Sequence, residues 1–244
     1  MEFLFACAIF VAALLYSMVG HGGGSGYLAV MAIAGVAPAE MKPAALVLNI
    51  LVAGIGTIQF LRAGAFSWRL YWPFALAAAP AAYLGGRIEL ASDYYRPIVG
   101  LVLVFAAWRL FQGARAAAAA DLQAHAPPLI VALPIGGGLG LLSGLTGVGG
   151  GVFLSPILLL CRWGAVREVA GVSALFILGN SCTGLAGHLA RDMSLPDALP
   201  GWLLAAGLGG IAGSGLGSRR LPPPALRRAL AMVLVLAGIK LALL

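Results

Sequence analysis

Long apolar stretches alternate with short polar connections along the whole chain. The apolar segments cover residues 3–19, 27–37, 43–61, 70–86, 97–111, 129–145, 152–161, 169–190, 199–217 and 229–244. The longer segments approach or reach the ~20 residues that cross a bilayer as a helix. No connection between them is long enough to fold as a soluble domain. The pattern predicts an all-α integral membrane protein.

The composition supports this prediction. The chain is 61% hydrophobic and 9% charged, with a mean hydropathy of +1.01, whereas soluble domains carry about 25% charged residues. The net charge is +7, but the basic residues lie between the apolar segments, as orienting charges do. A nucleic-acid site would instead group them with aromatic residues on one solvated face. We therefore expect the lipid bilayer as a partner and no nucleic acid.

The three cysteines predict neither a metal site nor a disulfide framework. Cys7, Cys161 and Cys182 lie far apart within apolar segments, without another Cys or His at metal-ligand spacing. We expect them to be small buried hydrophobic side chains. The sequence predicts no metal and no cofactor.

The second half of the chain repeats the first. At an offset of 127 residues, one set of glycines falls on another: Gly20, Gly22, Gly23 and Gly24 on Gly147, Gly149, Gly150 and Gly151. Repetition at a fixed period marks a structural unit. We predict two homologous halves of about five helical segments each, residues 1–113 and 129–244, joined by a polar linker, residues 114–128.

The apolar segments after the two glycine runs are too short to cross a membrane. They have 11 and 10 residues, about 15 Å of helix, or half a bilayer. Each either forms a hairpin with the preceding segment or completes one interrupted crossing. If the segments form hairpins, the two halves are inverted in the membrane, and ten Lys and Arg residues lie on one side of it and five on the other. If they complete interrupted crossings, nine lie on one side and six on the other. The positive-inside rule favours the larger bias, so we expect inverted repeats with both termini outside the cytoplasm.

A duplicated glycine-rich break within the membrane predicts a central binding site. Irregular backbone at this depth must line a buried or watery cavity, and glycine leaves no side chain between backbone and ligand. The N–H groups that open the following half-helices, including those of Tyr27 and Phe153, carry partial positive charge and can bind an anion. Close helix packing is the alternative. The candidate binding residues are Gly22, Gly23, Gly24, Ser25, Gly26, Thr146, Gly149, Gly150, Gly151, Val152 and Ser155.

Few polar side chains accompany these breaks. The stretch "GNSCTG" (179–184) interrupts an apolar segment, and Asn180 and Ser181 within it are candidate donors to a ligand. Hydrogen bonding between helices is the alternative for each. His21 lies inside the first glycine turn, where the second half has Val148. It is a candidate proton relay, and a structural histidine is equally compatible with the sequence.

These motifs together resemble those of the TauE/SafE sulfite exporter family, also called TSUP. The resemblance rests on "GGGSGYLAV", "GAFSW", "GVGGGVFLSPILLL" and "VSALFILGNS", and covers nearly the whole chain. It implies a transporter of sulfite, organosulfonates or related small sulfur-containing anions in the bacterial cytoplasmic membrane, and not an enzyme. One departure is Ala29, where the second half has Pro156.

The expected function is anion export by alternating access around the paired glycine turns. An inside-negative potential drives an anion outward by about 2.3 kcal/mol per charge per 100 mV. A passive anion channel with the same architecture is one alternative. A rhomboid-like intramembrane serine protease using Ser25 and His188 is another. However, the second half keeps the glycines and has Val152 where the first has Ser25, so the turn is explained without catalysis.

Overall fold

The chain is helical throughout the part that the computed structural model describes, residues 2–112, 127–189, 194–218, 235 and 239. Within these ranges it forms nine α-helices and no strand, which confirms the predicted all-α membrane architecture. The helices are α1 Glu2–Ser17, α2 Gly24–Ala34, α3 Pro38–Arg62, α4 Trp68–Arg87, α5 Ser92–Gln112, α6 Leu129–Thr146, α7 Gly151–Leu160, α8 Val166–His188 and α9 Leu199–Gly217. The tenth predicted segment, residues 229–244, falls outside the described residues apart from 235 and 239.

The helix lengths fit a membrane protein. Four helices, α3, α6, α8 and α9, are long and apolar enough to cross a bilayer. The two helices after the glycine turns, α2 and α7, have only 11 and 10 residues, as the sequence predicts. Large apolar side chains are exposed on the outer surface, among them Phe3, Ile130 and Leu204, where lipid replaces water as the solvent.

The start of each short helix lies close to the helix that precedes it. A Cβ placed on Gly26 of α2 would lie 3.0 Å from the Cβ of Ala12 and 3.0 Å from the ring of Tyr16, both on α1. In the second half, a Cβ on Gly150 would lie 3.3 Å from the carbonyl oxygen of Leu139, well before the end of α6. Both glycine turns therefore keep the chain close to the helix that it has just left.

The two equivalent long helices, α3 and α8, pack against each other in opposite directions. Gly56 near the end of α3 lies against Ala174 near the start of α8, and Gly184 near the end of α8 lies against Leu46 near the start of α3. Counted from the first residues of the two helices, Gly56 corresponds to Gly184 and Leu46 to Ala174. The position near the end of each helix therefore contacts the equivalent early position of the other helix. A two-fold relation between α3 and α8 produces such a pair of contacts.

The outer helix pairs join one half to the other through glycines. Helix α4 packs on α6, and α1 packs on α9, so the fourth helix of each half meets the first helix of the other. A Cβ on any of the facing glycines would overlap a carbonyl oxygen of the opposite helix. The pairs are Gly136 with Phe74, Gly140 with Ala78, Gly144 with Ala82, Gly209 with Phe10, Gly213 with Leu14 and Gly217 with Met18. Close packing of the small-xxx-small kind is thus found at these interfaces.

Two sequence-based expectations about burial are wrong. Cys7, Cys161 and Cys182 are exposed, because an apolar helix in lipid has apolar residues on its outer face as well as its inner one. Lys42 was assigned to a connection on the basis of charge. It lies inside α3, is 6% exposed, and donates from Nζ to the carbonyl oxygens of Gly86 (3.0 Å) and Ile88 (3.1 Å) at the end of α4.

Candidate functional site

The two glycine turns meet between the halves. Gly22 of the first turn and Gly149 of the second both lie against the side chains of Asn49 on α3 and Ile177 on α8. A Cβ on Gly24 would lie 2.7 Å from the carbonyl oxygen of Val148 in the second turn. The structure therefore brings together the two motifs that the sequence singled out, at the point where the antiparallel α3 and α8 pass each other.

Glycine is required at the residue before each short helix. Gly23 has a φ of 102° and Gly150 a φ of 79°, a region that other residues rarely adopt. Both positions are also crowded. A Cβ on Gly23 would lie 2.6 Å from the ring of Tyr27, and one on Gly150 would lie 3.1 Å from the ring of Phe176.

The first N–H groups of both short helices have no acceptor within their own helix. The first bond of α2 is donated by the N–H of Tyr27 to Gly23 O (2.9 Å), and that of α7 by the N–H of Phe153 to Gly150 O (3.1 Å). The prediction that these two N–H groups face an anion is therefore wrong. The helix geometry leaves the preceding donors without intrahelical partners, namely those of Gly24, Ser25, Gly26, Gly151 and Val152.

The carbonyl groups that close α6, by contrast, are occupied by donors from the first half. The side-chain N–H of Asn49 donates to Gly147 O (3.1 Å), and the hydroxyl of Tyr95 donates to Thr146 O (3.2 Å). The hydroxyl of Thr146 donates to Leu142 O of its own helix (2.7 Å), so this predicted site residue uses its side chain locally. The carbonyl groups of Gly147 and Thr146 are occupied, whereas Asn49 Oδ1 beside them is a buried acceptor without a partner among the described residues. The N–H groups at the start of α7, which have no acceptor within that helix, would attract an anion.

His21 connects the first turn to the second half. Its Nε2 lies 3.0 Å from Ser155 Oγ and 3.2 Å from Gly151 O, both on α7. Ser155 Oγ lies in turn 2.7 Å from Ser173 Oγ on α8. A carbonyl oxygen only accepts hydrogen bonds, so the contact with Gly151 requires the proton on Nε2. Sequence reasoning had identified His21 and Ser155 separately and gave no reason to pair them.

The hydroxyl of Ser25 is bonded to α1. Its Oγ donates to Tyr16 Oη (2.8 Å), while Tyr27 Oη donates to Gly22 O (2.7 Å). His188 is the last residue of α8, and it lies about 16 Å along the helix from Ile177 at the junction of the turns. Ser25 and His188 therefore form no catalytic pair, which removes the geometric basis of the protease alternative.

Asn180 and Ser181 lie on the second-half side of the junction. A Cβ on Gly150 would lie 3.3 Å from Asn180 Nδ2. Asn180 Nδ2, Ser181 Oγ and Ser143 Oγ are buried, and none has a hydrogen-bond partner among the described residues. Ser143 was missed from the sequence because a single serine in an apolar helix gives no signal. Asn49, which contacts both turns, is a further residue that the sequence analysis did not single out.

The site consists mainly of neutral polar groups. Backbone N–H groups, amides and hydroxyls surround the junction, together with the imidazole of His21. Among the described residues, no three His, Cys, Asp or Glu side chains lie close enough together to hold a metal ion. Such an arrangement can bind and release a small anion.

Comparison with known proteins gives a consistent result. The profile of the family described as "Sulfite exporter TauE/SafE" matches residues 4–241. The "Probable membrane transporter protein y4hK" of Sinorhizobium fredii (strain NBRC 101917 / NGR234) is 44% identical over 237 residues, which are 97% of this chain and 96% of that protein. No solved structure is significantly similar to this chain.

Proposed function

We propose that this chain, which belongs to the sulfite exporter TauE/SafE family, transports sulfite, an organosulfonate or a related small sulfur-containing anion across the bacterial cytoplasmic membrane. The membership makes it a membrane transporter, and we propose that it has no enzymatic activity. The anionic substrate is supported by the junction of the two glycine turns, and the sulfur chemistry by the name of the family.

The single observation that carries the proposal is the convergence of two helix N-termini whose first N–H groups have no acceptor within their own helix. Gly22 and Gly149 share the same two neighbours, Asn49 and Ile177, so the N-termini of α2 and α7 open at one place. Each N-terminus carries about half a positive charge. An anion held there is bound without a permanent cation, and can therefore leave again.

We infer that the halves are inverted in the membrane and that transport follows alternating access. The antiparallel packing of α3 and α8 supports inversion, because these helices hold equivalent positions in the two halves. The tight glycine contacts of α1 with α9 and of α4 with α6 support two bodies, each built from both halves. Rocking these bodies about the junction of the turns would expose the anion to one side and then the other.

The membrane potential gives a direction. An inside-negative potential drives a singly charged anion outward by about 2.3 kcal/mol per 100 mV. Export therefore needs no second ion. In the described residues, Glu40 and Glu168 lie in the first turns of α3 and α8, away from the junction.

Flux in vesicles containing the purified full-length protein tests this proposal. Vesicles are loaded with sulfite, sulfate, thiosulfate or ethanesulfonate, and an inside-negative potential is imposed. Saturable efflux of sulfite or ethanesulfonate that rises with the potential is the expected result. Efflux that never saturates would indicate a passive channel. An absence of flux for all four anions would overturn the assignment of a sulfur-containing anion.

A further inference from the structure

The two halves differ in polarity at one set of equivalent positions beside the turns. Counted from the starts of α1 and α6, Ser143 corresponds to Tyr16. Counted from the starts of α3 and α8, Asn180 and Ser181 correspond to Val52 and Ala53. At the sequence offset of 127 they correspond to Ala53 and Gly54, which also have no polar side chain. Three polar side chains of the second half thus stand where the first half has one tyrosine and two apolar residues.

The first half fills and satisfies this region with its own groups. Tyr16 is 1% exposed, and its hydroxyl accepts the bond from Ser25. Val52 and Ala53 are buried and apolar. The ring of Tyr27 covers Gly23, and its hydroxyl donates to Gly22 O.

At the junction the first half also has Asn49, whose amide N–H donates to Gly147 O (3.1 Å) and whose buried Oδ1 is an acceptor without a partner among the described residues. Its hydroxyl without a partner, Thr57 Oγ1, lies about two helical turns further along α3. Beside its turn, therefore, the described part of this half has no hydroxyl without a hydrogen-bond partner.

The second half leaves its donors open. Ser143 and Ser181 are 0% exposed, and Asn180 is 2% exposed. Ser143 Oγ, Ser181 Oγ and Asn180 Nδ2 nevertheless have no hydrogen-bond partner among the described residues. Buried polar groups without hydrogen bonds destabilise a fold. These three positions of the second half are therefore where the acceptor oxygens of a ligand would restore missing hydrogen bonds.

The three groups lie near the second turn. Asn180 Nδ2 lies beside Gly150. A Cβ on Gly184 would lie 3.4 Å from the Cα of Gly144, so the helix turns that carry Ser143 on α6 and Ser181 on α8 are neighbours. The unbonded N–H groups of Gly151 and Val152 open beside them. Side-chain and backbone donors thus converge on one half of the junction.

We propose that the side chains which bind the substrate's oxygens come from the second half alone, through Asn180, Ser181 and Ser143. This inference rests on the proposed function and specifies its site. The ligand is a small oxyanion with several acceptor oxygens on one centre, such as sulfite or the –SO₃⁻ group of a sulfonate. The first turn supplies backbone N–H groups and the link through His21. Neutral donors bind such an anion weakly enough to release it.

Thermal unfolding of the purified full-length protein, with and without sulfite or ethanesulfonate, tests the inference. A ligand that binds the folded state raises the melting temperature. Replacing Asn180 with Val copies the first half. We expect Asn180→Val to weaken binding by about tenfold or more and to leave the melting temperature without ligand unchanged or higher, since an unpaired buried amide is removed. Ser181→Ala should weaken binding in the same direction.

Thr183→Val is the matched control on the same helix. The hydroxyl of Thr183 donates to Gly179 O of its own helix (3.0 Å), so its loss should leave the ligand-induced shift unchanged. A wild-type shift that persists in both Asn180→Val and Ser181→Ala would overturn the inference. The absence of any shift in the wild type would also overturn it, and would leave buried water as the occupant. Flux in vesicles is measured separately. If the wild type transports the anion and the variants keep the ligand-induced rise in melting temperature, the proposed binding site is wrong. If the wild type shows that rise but no flux, the proposed transport is wrong.

Discussion

His21 Nε2 lies 3.0 Å from the hydroxyl oxygen of Ser155, a residue 134 positions later in the chain. His21 belongs to the first glycine turn, and Ser155 belongs to α7, the short helix that follows the second glycine turn. Ser155 also contacts Ser173 on α8. A rearrangement of α7 therefore changes the environment of the first turn directly, which alternating access requires.

A double-mutant cycle measures this link. His21→Ala and Ser155→Ala each remove one partner of the same contact, so their effects on the free energy of unfolding should not add. We expect a coupling energy of about 0.5–3 kcal/mol. Pairing His21→Ala with Thr183→Ala, whose hydroxyl bonds within its own helix, is the control cycle. Full additivity of His21→Ala and Ser155→Ala would show that the contact contributes nothing.

The pH dependence of transport tests His21 as a proton relay. Histidine is the ordinary side chain that ionises between pH 5 and 8, and a cationic ring beside the junction would attract an anion. Ethanesulfonate keeps one negative charge across this range, so its transport reports the protein. We expect any pH dependence of this transport between pH 8 and 5.5 to be lost in His21→Gln. The same profile in wild type and His21→Gln would leave His21 with a structural role.

The sequence predicted the helices and the glycine turns because both depend on local chemistry. Runs of apolar residues form membrane helices regardless of their neighbours, and a glycine run such as Gly22–Gly24 breaks a helix locally. The pairing of His21 with Ser155 depends on how the halves pack, and no spacing along the chain encodes it. The sequence offset of 127 already pairs Tyr16 with Ser143, but only the structure shows that Ser143 Oγ is buried without a hydrogen-bond partner among the described residues.

Lys42 should stabilise the fold through the end of α4. Its Nζ donates to the carbonyl oxygens of Gly86 and Ile88, where the helix dipole is negative. We expect Lys42→Met to lower the free energy of unfolding by about 1–3 kcal/mol, since buried acceptors lose their donor. Arg62→Met, at the exposed other end of α3, should change it by less than about 0.5 kcal/mol. Equal effects of the two substitutions would mean that the bonds of Lys42 are not important.

Lys42 also shows why charge alone misplaces a residue. A lysine next to Pro43 and near Glu40 has the composition of a connection. The helix nevertheless begins at Pro38, and the carbonyl groups of a second helix satisfy the buried ammonium. Only the packing of α3 against α4 makes that position possible.

The glycine contacts between α4 and α6 should be sensitive to a single methyl group. A Cβ on Gly140 would overlap the carbonyl oxygen of Ala78, whereas one on Gly138, two residues earlier, would meet nothing within 4 Å. We expect Gly140→Ala to cost about 1–3 kcal/mol of folding free energy, and Gly138→Ala to be neutral or stabilising by up to about 1 kcal/mol. Equal tolerance of both would show that the helices are not in close contact.

Efflux of sulfite from vesicles by Gly150→Val and Gly35→Val, compared with wild type, tests the central claim most directly. Gly150 and Gly35 have nearly the same φ, 79° and 78°, so valine strains both similarly, by about 1–3 kcal/mol. Gly150 lies at the junction of the turns, whereas a Cβ on Gly35 would meet nothing within 4 Å. We predict that Gly35→Val exports sulfite as the wild type does, whereas Gly150→Val folds but shows no efflux. Undiminished efflux in Gly150→Val would contradict an anion path through the paired glycine turns.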